Sequence, residues 1–247
     1  ICCFNNYSFY QIELVLMQEV LISAKNIEKR FNKNVILKDV NLDINKGEVI
    51  ALVGPNGSGK TTLINILLGI LKADKGELKI YIENYKKHIG LQLQSTPFFE
   101  GYNVKDNILM FSALYDIKMT DEEIESILNK YNLNPKTPAI KLSGGEQKKL
   151  AIMISTMQNP DLLIFDEPTA SLDPRERYNI KNMILELAKN NKTILFTSHD
   201  LEEVEDIASK IVFLYKGEIL ESGSKEELLK KYNFDSLEKV YLHITNY

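Results

Sequence analysis

The run Gly54-Pro55-Asn56-Gly57-Ser58-Gly59-Lys60-Thr61, with Thr62 after it, sits between an apolar pentapeptide, Val49 to Val53, and a stretch of helical periodicity. Glycines let the backbone wrap closely, so consecutive N–H groups and the start of the helix can be aimed at a phosphate. Lys60 has the length to reach β- and γ-phosphates, and the Thr61 hydroxyl can be offered to Mg²⁺. The competing reading is a plain glycine-rich turn, but strand, loop and helix in this order are the context a phosphate cradle requires. A second group is Leu162-Leu163-Ile164-Phe165-Asp166-Glu167. Four apolar residues predict a buried strand, and two carboxylates emerge at its end, where ligands bind in open α/β sheets. Asp166 is suited to holding Mg²⁺ through its water shell, and Glu167 to orienting or deprotonating an attacking water.

Those groups must be held in place by regular elements. Leu21 to Ile27, Val35 to Val40 and Val49 to Val53 read as extended segments, split by Asn32, Asn34, Lys46 and Gly47. Leu63, Ile64, Leu67, Leu68 and Leu71 share one helical face, which predicts a helix over 60–71 with Gly69 tolerated near its end. A strand is expected at Glu77 to Ile82. Residues from about Asn103 to Gln158 read as mostly helical. Thr120 with Glu123 forms a capping box, Ile124, Ile127, Leu128 and Tyr131 line one face, and Pro135 and Pro138 close the segment. Gly144-Gly145 opens the next helix. After Pro160, apolar strands (162–165, 193–197, 211–215) alternate with amphipathic helices (175–189, 200–209), which argues for a parallel sheet covered on both faces. The fold class is α/β, with a helical insertion at about 95–158.

The composition permits this. The chain has 247 residues, 44% hydrophobic and 26% charged, with a net charge of −4. One large domain or two tightly joined subdomains fit that length, burying roughly three quarters of the unfolded surface. Disorder and small disulfide scaffolds are excluded. No overall basic excess advertises nucleic acid. The adjacent Cys2 and Cys3 have no metal-ligand spacing and fit a reducing compartment. No apolar run approaches the ~18 residues of a membrane span. The stretch before Met17 lacks the parts of a secretion signal. We read Met17 as the natural start and residues 1–16 as an upstream extension or artefact.

Leu142-Ser143-Gly144-Gly145-Glu146-Gln147 lies between the phosphate loop and the acid pair in sequence, and it resembles the signature motif of the ATP-binding cassette (ABC) ATPases. Other segments resemble the same family. Gln94, in Ile89-Gly90-Leu91-Gln92-Leu93-Gln94, resembles the Q-loop glutamine, with Gln92 as a rival one strand alternation away. Ser171-Leu172-Asp173 resembles the D-loop, and His199, just past the strand ending at Thr197, resembles the switch histidine. Phe31 occupies the place of the aromatic that stacks on adenine, although an aromatic there is also an ordinary core residue. The resemblance covers residues from about 20 to 230.

That resemblance implies a P-loop NTPase core with a mostly parallel sheet, an N-terminal antiparallel β-subdomain, and one ABC ATPase domain over 17–235 followed by a short C-terminal helix or tail at 236–247. It implies ATP and Mg²⁺ as cofactors, with Lys60, Thr61, Thr62 and residues 54–59 on the phosphates. Thr61, Gln94 and Asp166 serve the metal, and Glu167, His199 and Gln94 are catalytic. Ser143, Gly144 and Gly145, of the signature, contact the nucleotide of the opposite subunit in a head-to-tail homo- or heterodimer, and Asp173 is ATP-binding. The partners implied are membrane permease subunits and no nucleic acid, and the location is cytoplasmic, peripheral to a membrane. Segments 92–99 and 235–244 resemble the bacterial drug- and antibiotic-export branch. The competing function is an ABC ATPase acting on a soluble partner such as the ribosome or DNA. Taken without the resemblance, Ser143 reads as an ordinary N-cap. His199 then reads as a capping or core residue, with Asp200 the better cap and Glu203 three positions on. His88 and His243 read as surface, and Lys148 and Lys149 as a solvated face. Pro97, Phe98 and Phe99 either pack inside the helical insertion or shape a groove for a membrane partner's helix.

Overall fold

Four strands made almost wholly of buried residues form the centre of the computed structural model, which describes residues 19–94, 98–99 and 101–246. They are β3 (Val49–Val53), β6 (Leu162–Phe165), β7 (Thr193–Ser198) and β8 (Lys210–Tyr215). With β5 (Ile89–Gln92) and β9 (Glu218–Gly223) they build a six-stranded sheet in the order β5-β6-β7-β3-β8-β9. All neighbours are parallel except β8 and β9, which form a hairpin. Continuous apolar runs are what a sheet covered on both faces demands.

Strand alternation divides the side chains between two cores. Val49, Ala51, Val53, Leu163, Phe165, Ile194, Phe196, Ile211 and Phe213 point to one face. Ile50, Leu52, Leu162, Ile164, Leu195, Val212 and Leu214 point to the other. The second core is closed by helix α1 (Lys60–Leu67) and by a three-stranded antiparallel sheet, order β2-β1-β4. Its strands are β1 (Val20–Phe31), β2 (Asn34–Asn45) and β4 (Lys75–Ile80), with α2 (Tyr85–His88) following. The first core is closed by α3 (Val104–Leu114), α4 (Asp121–Lys130), α5 (Gly144–Thr156), α6 (Pro174–Lys189), α7 (Leu201–Ile207), α8 (Lys225–Tyr232) and α9 (Leu237–Ile244). Each fully buried Leu, Ile or Phe contributes about 1.5–3 kcal/mol of transfer free energy.

The architecture matches the α/β expectation, and its departures have local causes. Helix α1 stops at Leu67, not Leu71. Gly69 takes a left-handed φ of 68°, and the N–H groups of Gly69 and Ile70 bond back to the carbonyls of Ile66 and Asn65, closing a Schellman turn. Strand β4 runs from Lys75 because its pairing with β1 extends from Glu28 opposite Lys75 to Ile22 opposite Ile80. Strand β9 was not anticipated; the Lys216-Gly217 turn, both residues at positive φ, creates it. Thr120 and Glu123 do make the reciprocal capping box, with Ile124 and Leu128 fully buried. Phe98 packs on the first core, and Phe99 lies 5.3 Å from Phe111, so the aromatic pair packs against the helical insertion. Residues 1–16 and Pro97 lie outside the described residues. Among the described residues no helix is long and apolar enough to cross a membrane.

One close approach joins the sheet to α5. A Cβ on Gly90 of β5 would sit 2.1 Å from the Ser155 carbonyl oxygen and 2.7 Å from Leu163 Cδ2. Backbone cannot yield there as a flexible side chain would. Gly90→Ala should therefore destabilise the fold by about 1–3 kcal/mol or more, the scale of overpacking a core. A urea-denaturation midpoint equal to that of the parent protein would show that α5 and β5 are not in this contact.

Candidate functional site

The parallel sheet brings the carboxyl ends of β3, β6 and β7 together. β7 lies between the other two, with Val53 opposite Ser198 and Phe165 opposite Phe196. The phosphate loop therefore emerges on one side of the His199 loop and the acid pair on the other. One cleft of about 490 Å³ is lined by Asn56, Gly57, Gly59, Lys60, Thr61, Thr62, Gln94, Asp166 and Glu167, with Ile36 at its edge.

The loop's geometry explains its composition. Gly59, the N-cap of α1, has φ 109°, and a Cβ there would meet Leu37 Cδ2 at 2.8 Å. No side chain caps α1, whereas α3 to α9 each begin with an Asn, Thr, Ser or Asp side chain accepting from the first turn. The helix end facing the cleft thus keeps donors and partial positive charge that every other long helix satisfies internally. Lys60 is 6% exposed. Its ammonium donates to the carbonyls of Gly54 (2.7 Å) and Pro55 (3.2 Å) and stands 3.9 Å from Glu167 Oε1. Burial lowers its pKa, with Glu167 and Asp166 opposing that shift. The Ser58 hydroxyl is buried without a hydrogen-bond partner. An anion bound here would satisfy what the loop leaves open.

Asp166 is held by β7. The Thr197 hydroxyl donates to Asp166 Oδ1 at 2.7 Å and accepts from the Glu167 N–H at 2.8 Å. Asp166 Oδ2 lies 3.4 Å from the Thr61 hydroxyl. Glu167 takes a left-handed φ of 49°, a conformation that costs a non-glycine residue about 1–2 kcal/mol and that aims its carboxylate into the cleft. Gln94 Nε2 is 3.5 Å from Glu167 Oε2. Its rival Gln92 is wholly buried, its amide turned to the backbone carbonyls of Leu93 and Asp166. His199 is exposed, with Nδ1 3.9 Å from Glu167 Oε1. Among the described residues no group of three His, Cys, Asp or Glu side chains could hold a metal by itself. A hydroxyl and one carboxylate fit a cation that completes its shell with water and phosphate oxygens, which is the habit of Mg²⁺.

Other sequence-predicted residues stand apart from this cleft. Ser143 caps α5 in a reciprocal box with Glu146, with Ser143 and Gly144 exposed and Gly145 buried against Glu176. The Asp173 carboxylate caps α6, accepting from the N–H groups of Arg175 and Glu176. Phe31 is 47% exposed with Lys29 Nζ 5.5 Å from its ring, so it is not core, and it is not among the residues lining the cleft.

Several expectations need correction. Lys148 and Lys149 are not a solvated face. Lys149 is buried and pairs with Glu176 at 2.7 Å. Lys148 donates to the Gln94 carbonyl at 3.1 Å, and its pKa is lowered by burial against the opposing pull of Asp166 and Glu167. Asp200 does cap α7, but Glu203 does not reach back to complete a box; it turns inward to Thr169 and Ser198. His88 is an exposed ion-pair partner of Asp161, and His243 lies edge-on to Tyr232 and Phe234. Thr197 is a functional residue that sequence reasoning missed, and the available signal was a hydroxyl ending an apolar strand.

Residues 37–170 match the family model described as ABC transporter. Over 222 residues the chain is 32% identical to the lantibiotic transport ATP-binding protein SrtF of Streptococcus pyogenes, spanning 86% of this chain and 96% of that protein. It is 31% identical over 223 residues to the spermidine/putrescine import ATP-binding protein PotA of Bacillus anthracis, spanning 85% and 68% respectively. Among solved structures, a dimeric ATP-binding cassette in a post-hydrolysis state bound to ADP and phosphate superposes with a TM-score of 0.71. That pair is 26% identical, covering 82% of this chain and 98% of the other. With a phosphate-ready helix end and an acid pair facing each other across the cleft, the chain belongs to the ABC transporter family as an ATP-binding, ATP-hydrolysing subunit.

Proposed function

We propose that the protein powers export through a separate membrane permease, working as a head-to-tail pair of cassettes that sandwich two Mg-ATP molecules. The observation that carries the nucleotide reading is the uncapped start of α1, with buried Lys60 beside it and Asp166, Glu167 and Gln94 across the same cleft. In this reading residues 54–62 hold the phosphates. Thr61 and Gln94, with Asp166 acting through water, hold Mg²⁺. Glu167 takes the proton of the attacking water, and His199 contacts the γ-phosphate. Phe31 offers its exposed ring to the adenine.

Ser143, Gly144 and Gly145 lie outside the cleft of their own chain, with Asp173 at the start of the neighbouring helix α6. An exposed helix start at Ser143 suits a nucleotide bound by a second cassette, homologous or identical. The dimeric relative supports that arrangement. Binding energy then closes the pair and hydrolysis reopens it, so ATP shifts a conformational equilibrium. Residues 17–235 form the cassette and 236–247 its C-terminal helical tail. Attachment to a permease would put the protein on the cytoplasmic side of a membrane. Export is favoured by the resemblance of segments 92–99 and 235–244 to the antibiotic-export branch and by the match along nearly all of SrtF. The comparable match to an importer subunit makes direction the point to test.

Glu167→Gln should retain ATP binding and slow steady-state hydrolysis roughly 100-fold or more, the scale of a general base; near-normal turnover would remove Glu167 from that role. Lys60→Ala should weaken nucleotide binding about 10- to 100-fold, since a hydrogen bond to a charged group is worth about 1.5–3 kcal/mol. An unaltered titration would reject the phosphate assignment. A mild-detergent pull-down from native cells should recover a multi-span membrane protein in near-stoichiometric amount. Ribosomes, nucleic acid or soluble factors alone would favour the soluble-partner reading.

A further inference from the structure

Among the described residues the buried acids are Asp166, in the cleft, and Glu203, which no step of the reaction uses. It sits on α7, 7% exposed, between two loops that both reach the cleft. Its Oε2 accepts from the Thr169 hydroxyl at 2.7 Å and from the Ser198 hydroxyl at 3.2 Å. Thr169 and Ser198 are themselves 5% exposed. Thr169 stands two residues after Glu167, and Ser198 immediately precedes His199.

We propose that Glu203 is a positioning residue, the clamp that fixes the loop carrying Glu167 against the loop carrying His199. The Ser198 hydroxyl has Glu203 Oε2 at 3.2 Å as its nearer acceptor, with the Asp200 carbonyl at 3.4 Å, and accepts from the Asp200 N–H at 3.0 Å, so the turn that presents His199 is built around this oxygen. Asp200 is pinned in addition by Arg177 of α6 at 2.9 Å. On the neighbouring position Thr197 bonds Asp166 and the Glu167 backbone. The end of β7 thus grips the acid pair twice, directly through Thr197 and indirectly through Ser198, Glu203 and Thr169. A Glu167 carboxylate and a His199 ring that stand 3.9 Å apart depend on both grips for their separation.

The placement of a carboxylate argues for this role over a packing one. Glu203 Oε1 is buried with no hydrogen-bond partner, and burial raises the Glu203 pKa although both hydroxyls pull it back. An apolar residue of similar volume would avoid that cost, but it would leave the two buried hydroxyls without an acceptor. What an apolar residue cannot do is accept from Thr169 and Ser198 together. A displacement of ~1 Å in a reacting group can cost ~100-fold in rate, so a clamp of this kind acts on turnover before it acts on stability.

The inference rests on Glu167 and His199 being the groups that act on water and the γ-phosphate. The test is steady-state ATPase kinetics on the full chain, with ATP affinity and urea midpoints measured alongside. Glu203→Leu should lower kcat at least roughly tenfold and leave ATP affinity within about twofold, in protein that its urea transition shows to be folded. Glu203→Gln, whose amide oxygen can still accept both bonds, should recover more than about half of the parent kcat. Thr169→Val combined with Ser198→Ala should reproduce the Glu203→Leu loss, and adding Glu203→Leu to that pair should change little, as expected of one coupled unit. A Glu203→Leu kcat within about twofold of the parent, or a Gln variant no better than Leu, overturns the proposal. If Glu203→Leu fails to fold, unchanged turnover in the Thr169/Ser198 double variant overturns it instead. Glu167→Gln assayed in parallel separates the two levels. Normal turnover there sinks the catalytic reading, whereas loss there with normal Glu203→Leu turnover sinks the clamp alone.

Discussion

A helix start that no side chain caps, with a buried lysine beside it, is the constraint around which this molecule is arranged. Helices α3 to α9 satisfy their first turn with their own side chains, and α1 does not. Leaving that end open, with a buried lysine beside it, is tolerable only where an anion will arrive. The sheet order follows from the same need. β3 delivers the loop to the open face while β6, two strands away, delivers two acids to the other side of the same cleft. β7 between them provides hydroxyls at the right depth to hold those acids, because its register places Thr197 beside the residue that follows Phe165.

The two cores serve this arrangement by fixing the strand ends against each other. Strand alternation sends half of each central strand to the antiparallel sheet and α1, and half to the helices on the opposite face. A one-residue slip of β6 against β7 would reverse its faces and also move Asp166 away from Thr197. The same packing that stabilises the fold therefore sets the geometry of the acid pair. The left-handed backbone at Glu167 fits this view, since a strained residue persists only where its surroundings over-determine it.

What could be read from the chain beforehand was whatever is local in it. A loop such as 54–61 carries its context on both sides, and a buried strand ending in two acids does the same. The capping box at Thr120 and the helix over 144–156 were equally visible for that reason. The parts that stayed hidden depend on register or tertiary reach. Lys149 looks solvated in a helical wheel until α6 brings Glu176 to it. Glu203 has the spacing of a capping partner for Asp200, and only the placement of Thr169 and Ser198 turns it inward. Gln92 and Gln94 differ by one alternation that periodicity cannot resolve, yet strand pairing buries the first and leaves the second at the cleft.

The groups that line the cleft lie close together without closing into bonds among themselves. Lys60 and His199 each stand 3.9 Å from Glu167, beyond hydrogen-bond reach, and Gln94 is at its limit. Ser143 meanwhile closes its own capping box, so the hydroxyl at the start of α5 is satisfied within its own chain. The Ser143 hydroxyl donates to the Glu146 carboxylate at 2.9 Å and accepts from the Glu146 N–H at 3.3 Å, so serving a nucleotide on another cassette would exchange one charged acceptor for another. The second acceptor exists only while the anion is bound. A pair of cassettes working as proposed would close with ATP bound and part once the γ-phosphate has gone. The chemistry and the conformational change would then draw on the same few hydrogen bonds.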